Sequence, residues 1–142
     1  MMATELSPGR VLNRSFLRNN ESMETKVQFR NSLNSLLNKL DVKEDEEHNK
    51  TWIRDFLTHS FYDDPYQVNT SKRVDQAIFG PDSSRPWVLM EMKAPDNHTD
   101  MPKDGHFDRK SFYQLVLYYL KEEKERDNRE IKHLAITNGY EW

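Results

Sequence analysis

The segment Pro86-Trp-Val-Leu-Met-Glu-Met-Lys93 has the length and apolar character of a buried β-strand, but it ends in two charged residues. Side chains alternate between the two faces of a strand, so Glu91 and Lys93 are expected to point in the same direction. A buried charge is costly unless it is paired or bound to a metal ion, and packing alone does not account for these two residues. The segment therefore predicts a central strand that ends in a polar site.

The preceding segment predicts a second strand that carries another acid. Residues 73–79 alternate in polarity, which places Val74 and Ile78 on one face and Asp75 and Ala77 on the other. A turn rich in Gly, Pro and Ser follows, so the two strands are expected to form a hairpin. In such a hairpin, Asp75 stands near the charged end of the first segment.

The remaining segments predict further helices and short strands. In chain order, helices are expected at 7–17, 22–40 and 44–62, strands at 66–70, 73–79 and 87–93, a helix at 108–126 and a strand at 131–137. This order indicates one mixed α/β domain over residues 1–142, with a helical part at 1–62 and a core at 66–142. The helix at 108–126 is apolar nearly all round between 112 and 120, which predicts burial on more than one side.

The composition fits a single domain in a reducing compartment. The chain has 142 residues and no cysteine, so disulfides and thiolate metal sites are excluded and a cytoplasmic location is expected. No apolar run reaches the roughly 18 residues of a membrane span, and no signal peptide is recognisable. The net charge of −3 disfavours binding of nucleic acid by bulk attraction. Local basic clusters, each equally compatible with a solvated surface, occur at Arg10, Arg14 and Arg18, at Lys72-Arg73 and at Arg109-Lys110.

The three charged residues of the hairpin suit the hydrolysis of a phosphodiester. The pattern Glu-x-Lys occurs four times in the chain, but only the copy at Glu91 ends an apolar strand that follows a strand with an acid. Mg²⁺ held by hard carboxylate oxygens neutralises a phosphodiester and lowers the pKa of a bound water. Asp75 and Glu91 are the expected ligands, with the backbone carbonyl of Met92 as a third. Lys93 adds a positive donor near the attacking water and stabilises the developing charge.

Asp75, Glu91 and Lys93 match the Asp…Glu-x-Lys core of the PD-(D/E)xK nuclease superfamily, which the chain resembles. Gln114-Leu-Val-Leu-Tyr118 is similar to the Gln-x-x-x-Tyr motif of RecB-like members and of type I restriction subunits. The spacing of four places Gln114 and Tyr118 on one helical face, where the resemblance implies support of the substrate or of the metal ligands. This face is expected to lie opposite a packing stripe at Phe112, Leu115, Val116 and Tyr119.

A longer series of matches resembles the N-terminal nuclease region of type IIG restriction–modification enzymes. The matched residues are Leu6-Ser-Pro8, Asn13, Phe16-Leu17, Asp55-Phe-Leu57, Asn69-Thr70, Asp75, Glu91-x-Lys93, Leu115-x-Leu-Tyr-Tyr-Leu120, Ile131-Lys-His-Leu134, Thr137-Asn138 and Glu141-Trp142. The resemblance implies a restriction-endonuclease-like mixed β-sheet core flanked by helices, with extra N-terminal helices. It also implies Mg²⁺ as cofactor, with Mn²⁺ as a substitute, and double-stranded DNA as substrate. Methyltransferase and target-recognition domains are expected on the same parent chain, and a transient dimer is a possible means of cutting both strands.

The chain departs from the family pattern at two positions. Ala94 stands where members often have a second Lys after Glu-x-Lys, and Gln76 stands where they often have Leu after the strand Asp. Members also often carry a Glu on an early helix near the metal ion. Helical angles make Glu46 the candidate for this position and direct Glu47 away from it, although an acidic first turn is also favoured by the helix dipole.

Three interpretations of the function are open at this point. The first is a type II, IIG-like, site-specific deoxyribonuclease domain that acts with Mg²⁺. The alternative is a nuclease-fold module without catalysis that binds DNA or another protein. A small stand-alone repair or phage nuclease is the third, and the end of the chain directly after a strand favours a piece of a longer protein over this one.

Overall fold

The elements of the chain follow the predicted order. A computed structural model describes residues 23–71, 74–103 and 105–142, so the predicted helix at 7–17 and the basic clusters at 10–18 and 72–73 lie outside the described residues. The elements are α1 (Met23–Lys39), α2 (Glu46–Ser60), β1 (Gln67–Ser71), β2 (Val74–Phe79), β3 (Pro86–Met92), α3 (Lys110–Arg126) and β4 (His133–Thr137). From residue 23 onward, the predicted order of helices, hairpin strands, helix and strand is confirmed.

The strands form one mixed sheet. Within the described ranges, the sheet has four strands in the order β1-β2-β3-β4. β2 pairs antiparallel with both β1 and β3, whereas β3 and β4 run parallel, with α3 connecting them. The mixed α/β class is therefore confirmed, and β3, the strand with the charged end, lies between two neighbours.

Helices cover both faces of the sheet. On one face, α1 and α2 enclose a core of Leu36, Leu40, Ile53, Leu57, Ile78, Met90 and Met92. On the other face, α3 contributes Leu115 to a second core with Val74, Ala77 and Leu89. β3 supplies residues to both cores because its successive side chains point to opposite faces. This double burial explains the nearly continuous apolar run before Glu91.

Helix α2 begins beside the sheet at a well-defined cap. The Asp45 side chain accepts a hydrogen bond from the His48 backbone N–H at 2.7 Å, as an N-cap residue does. Glu46 and Glu47 follow in the first turn, where negative charge is favoured by the positive end of the helix dipole. The buried Asn49 side chain donates to the Asp41 carbonyl at 2.9 Å and ties the preceding loop to the helix. These contacts determine where the first turn of α2 lies.

A β-bulge interrupts β2 at the predicted acid. The register between β1 and β2 shifts between Asn69 and Ser71, so that Asp75 and Gln76 together stand opposite Thr70. An extra residue in one strand shifts the alternation of side chains by one position and turns the local backbone. Bulges of this kind often redirect a side chain next to a functional site.

The bulge overturns one expectation about the faces of β2. Val74 and Ile78 were predicted to share a face, but Val74 packs with Ala77 on the α3 side, and Ile78 packs on the opposite side. The strict period of two fails here because the bulge adds one residue between Val74 and Ala77. Asp75 consequently reaches α2, where it contacts Lys50.

Helix α3 is not buried on more than one side, contrary to the expectation from its sequence. Tyr113, Leu117 and Leu120 are 61%, 48% and 39% exposed, whereas Leu115 is 3% exposed. Within the described residues the sheet covers one side of α3, Phe112 contacts Phe107 of the preceding loop, and Tyr113, Leu117 and Leu120 face outward. None of the described helices is both long enough and apolar enough to span a lipid bilayer.

Gly80 lets the chain pass directly under an aromatic ring at the end of β2. A Cβ atom at Gly80 would lie 2.1 Å from an atom of the Trp87 ring. Tyr66 packs edge-on against that ring, Lys132 lies 3.4 Å from its centroid, and Glu130 accepts its N–H at 3.1 Å. Because these contacts restrict movement of the ring, there is no room for a larger residue at position 80.

We expect Gly80→Ala to lower the free energy of unfolding by about 1–3 kcal/mol, the usual range for overpacking. Urea unfolding followed by circular dichroism measures the change. A Trp87→Leu background provides the control, because removal of the ring should reduce the cost of Gly80→Ala to a fraction of that value. Equal stability of Gly80→Ala and the unmodified chain would show that the ring can move aside.

Candidate functional site

Charged side chains lie at the start of β2, at the end of β3 and on α2. Asp75 Oδ1 accepts a hydrogen bond from Lys50 Nζ at 2.8 Å, and Asp75 Oδ2 accepts one from the Met92 backbone N–H at 2.8 Å. Lys93 Nζ donates to Glu91 Oε1 at 2.7 Å. Asp75 is thus hydrogen-bonded to Met92, the residue between the paired Glu91 and Lys93.

Glu91 and Lys93 share one face of the sheet, as the alternation of β3 predicts. Their side chains are 4% and 11% exposed, so the ion pair is almost completely shielded from water. Lys93 Nζ also lies 3.5 Å from Gln114 Oε1, at the long limit of a hydrogen bond. The ammonium group is therefore held between the strand and helix α3.

The site behaves as one electrostatic unit. Burial raises the pKa of the Glu91 carboxyl, and the Asp75 carboxylate raises it further, while hydrogen bonding and charge from Lys93 act in the opposite direction. Burial lowers the pKa of Lys93, but the contact with Glu91 and the charges of Glu46 and Asp75 outweigh it, so this pKa is raised overall. Asp75 is thus near enough to Glu91 for its negative charge to act on the Glu91 carboxyl.

Lys50 lies at the centre of the acidic part of this site. Its Nζ atom is 2.7 Å from a Glu47 carboxylate oxygen, 2.8 Å from Asp75 and 3.0 Å from Glu46. Burial alone would lower the pKa of Lys50, but these carboxylates raise it well above its ordinary value. The ammonium group is therefore a permanent positive charge among three acids.

The sequence pattern did not single out Lys50, although a signal was present. Lys50 precedes Ile53 by three residues and Leu57 by seven, the spacing of one helical face. Both apolar residues are buried against the sheet, and Lys50 itself is only 8% exposed. A lysine on the buried stripe of a helix indicates a nearby partner of opposite charge, because an unpaired buried ammonium group is costly.

The other predicted residues take different positions. Glu46 contacts Lys50, and its role near a metal ion stays a prediction. Glu47, which was expected to point away, also reaches Lys50, although its side chain is 81% exposed. Met92 contacts Asp75 through its amide, and a role of its carbonyl stays a prediction.

Gln114 and Tyr118 do not lie opposite the packing stripe of α3, so this expectation was wrong. Tyr118 packs against the same core as Leu115 and Tyr119, and Gln114 flanks that face near Lys93. Residues that are adjacent in a helix are about 100° apart, so Gln114 and Leu115 cannot stand on opposite sides. The motif therefore brings Gln114 to the site and places Tyr118 against the sheet.

One comparison with known proteins gives a match. Residues 6–142 match the model of a family described as a domain of unknown function, DUF7149. The chain belongs to this family. No curated protein and no solved structure matches the chain significantly. The DUF7149 match assigns no activity to the chain.

The donors of this DUF7149 site fit a hard divalent cation. In the parts of the chain that the structure describes, no three acidic or histidine side chains converge closely enough to hold a metal ion by themselves. Mg²⁺, however, is usually held by one or two carboxylates together with water and phosphate oxygens, and Asp75 and Glu91 offer two carboxylates. The cluster has a formal charge of −2, which one divalent ion neutralises. Its members are the carboxylates of Glu46, Glu47, Asp75 and Glu91 and the ammonium groups of Lys50 and Lys93.

Proposed function

We propose that the chain is a Mg²⁺-dependent DNA endonuclease domain of the PD-(D/E)xK type. The observation that carries the proposal is the clustering of Asp75 on β2 with Glu91 and Lys93 at the end of β3. Asp75 reaches toward α2 and Lys93 toward α3, but Asp75 is bonded to the residue between Glu91 and Lys93 and its charge acts on the Glu91 carboxyl. A mixed sheet with helices on both faces supports the restriction-endonuclease-like version of the α/β class, which is part of the same proposal.

Each residue of the cluster has a role in the proposed hydrolysis. Asp75 and Glu91 hold Mg²⁺, which supplies charge neutralisation and activates water when it is bound. The Lys93 ammonium group orients the attacking water and stabilises the negative charge that develops on the phosphoryl oxygens. Gln114 limits the movement of Lys93, to which it lies close. Water attacks phosphorus in line with the leaving 3′ oxygen and gives its proton to solvent, the P–O3′ bond breaks, and the 3′ oxygen takes up a proton from solvent. The products therefore carry 5′-phosphate and 3′-hydroxyl ends.

The proposal includes a place for this domain in a larger enzyme. The ordered matches along the chain support a type IIG restriction–modification protein, in which methyltransferase and target-recognition domains provide sequence specificity. Double-stranded DNA is the proposed substrate, and a transient dimer provides the second cut.

Two observations favour a second candidate, a nuclease-fold module that binds DNA or a protein without cleaving DNA. Lys50 occupies one oxygen of Asp75, and Ala94 stands where the nuclease regions of type IIG enzymes often have a second basic residue. A module of this kind would keep the cluster as a structural ion-pair network. Calorimetry with Mn²⁺ separates the two candidates, because only a metal site binds the ion through Asp75 and Glu91.

Cleavage of plasmid DNA tests the first candidate directly. With Mg²⁺ or Mn²⁺, the chain should nick or linearise supercoiled plasmid, and EDTA should abolish the reaction. Ligation of the products without prior phosphorylation checks for 5′-phosphate ends. Absence of both Mn²⁺ binding and cleavage would contradict the proposal.

The raised pKa of Glu91 predicts a pH dependence of metal binding. A carboxyl group binds a cation only when it is deprotonated, so its affinity for Mn²⁺ falls as the pH drops through its pKa. Burial raises the pKa of Glu91 above the ordinary value of 4.5. As the pH is lowered, the affinity for Mn²⁺ should therefore begin to fall before pH 4.5 is reached. Calorimetric titrations between pH 4 and pH 8, at subsaturating Mn²⁺, measure this profile. If the midpoint of this pH profile lies at or below the ordinary pKa of 4.5, Glu91 does not control Mn²⁺ binding.

A further inference from the structure

We infer that the Lys50 ammonium group is an exchangeable counter-ion of the site, which a divalent cation displaces from Asp75 when it binds. The inference rests on the proposed function, since it concerns the same carboxylates. It adds a residue to which neither the PD-(D/E)xK motif nor the family match assigns a role. In the protein without metal, the positive charge of Lys50 already occupies the site at Asp75.

The contacts of Lys50 resemble those of a bound cation. Its Nζ atom lies between 2.7 and 3.0 Å from carboxylate oxygens of Glu46, Glu47 and Asp75. An ammonium group has three N–H donors, so three carboxylates are the number of partners that it can use. The residue is only 8% exposed, and water therefore contributes little to its solvation.

Binding of a metal ion at Asp75 conflicts with this arrangement. Both carboxylate oxygens of Asp75 already accept hydrogen bonds, Oδ1 from Lys50 and Oδ2 from the Met92 amide. A divalent cation on Asp75 would lie within a few ångströms of the ammonium group. Two positive charges at that separation repel each other strongly in a site that is shielded from water. The metal ion and Lys50 therefore compete for the same carboxylate.

Lys50 has another position available when it leaves Asp75. Glu46 and Glu47 lie one helical turn before Lys50 on the same helix, and the Glu47 side chain is 81% exposed. A rotation of the lysine side chain toward Glu47 keeps its charge paired and moves it toward solvent. Displacement thus does not leave a buried charge without a partner, which is the usual cost of breaking such an ion pair.

The affinity for Mn²⁺ tests this competition without any measurement of cleavage. Lys50→Gln removes the charge but keeps a polar side chain, and Lys50→Met is a second variant. Calorimetry on the whole chain should show at least tenfold tighter binding of Mn²⁺ to both variants. Lys43→Gln removes an equal charge from an exposed position shortly before α2, and its affinity should equal that of the unmodified chain. Unchanged or weaker binding by the Lys50 variants would overturn the inference.

The outcomes separate this inference from the proposed function. Mn²⁺ binding that Asp75→Asn abolishes but Lys50→Gln leaves unchanged supports the metal site and overturns the role of Lys50. Binding by Lys50→Gln alone supports the role of Lys50 and contradicts metal-dependent activity of the unmodified chain. If neither the unmodified chain nor Lys50→Gln binds Mn²⁺, both the metal site and the role of Lys50 are overturned.

A loss of folding in the Lys50 variants is also informative. If Lys50→Gln is unfolded without metal, circular dichroism should show that Mn²⁺ restores the helical signal, because the ion takes the place of the ammonium group. A variant that stays unfolded at saturating Mn²⁺ would overturn the inference.

Discussion

Replacement of Lys93 by alanine is expected to lower the rate of Mg²⁺-dependent DNA cleavage by a factor of about a hundred to a thousand, the range for removal of one preorganised donor to a transition state. The ammonium group is 11% exposed and lies 2.7 Å from Glu91, so its position is well defined before substrate arrives. Because Ala94 follows it in the chain, the adjacent position supplies no replacement charge. Initial rates of plasmid cleavage at saturating Mg²⁺ measure the loss.

The control for this experiment has to separate catalysis from folding. Removal of Lys93 leaves the 4% exposed side chain of Glu91 without its cation, so some loss of thermal stability is expected. Lys93→Met retains the aliphatic part of the side chain and should show the same loss of cleavage with a smaller change in the unfolding temperature. Lys43→Ala should cleave normally. Cleavage by the Lys93 variants at the unmodified rate would refute the assignment.

Replacement of Asp75 by asparagine is expected to weaken Mn²⁺ binding at least about a hundredfold and to abolish cleavage. The substitution removes a charged hard ligand but preserves the shape of the side chain. Its amide oxygen can still accept the hydrogen bond from the Met92 amide, and Lys50 retains Glu46 and Glu47 as partners. The fold should therefore persist, and isothermal calorimetry measures the change in affinity.

Asp82→Asn is the matched control for Asp75→Asn. Asp82 is exposed in the turn after β2 and has a φ of 56°. Asparagine is among the residues that adopt positive φ most readily, so this substitution removes an equal charge with little strain. Its Mn²⁺ affinity should match that of the unmodified chain. If Asp75→Asn also binds Mn²⁺ normally, Asp75 is not a ligand and the metal site lies elsewhere.

The pair Glu91 and Lys93 could be predicted from the sequence because its geometry is local. Two residues that are two apart in a strand share a face whatever surrounds the strand. The proximity of Asp75 to this pair followed from a hairpin, which a turn of five residues between two apolar strands also indicates locally. The contact of Lys50 with Asp75, in contrast, joins residues 25 positions apart on a helix and a strand. Periodicity places Lys50 on the buried face of α2, but it does not say which strand that face meets.

The order of helices and strands, the mixed α/β class and the shared face of Glu91 and Lys93 depend on chain periodicity, which is a local property. Pairing with β1 introduces the bulge that directs Asp75 toward α2, because the register of two strands depends on contacts between distant residues. Packing likewise decides which side of α3 is buried, since a helix that is apolar all round has no preferred face until a sheet covers one. The part of the site that lies within one strand could thus be predicted from the sequence. The part that joins α2, β2 and β3 depends on strand register and on the packing of α2 against the sheet, which only the tertiary structure determines.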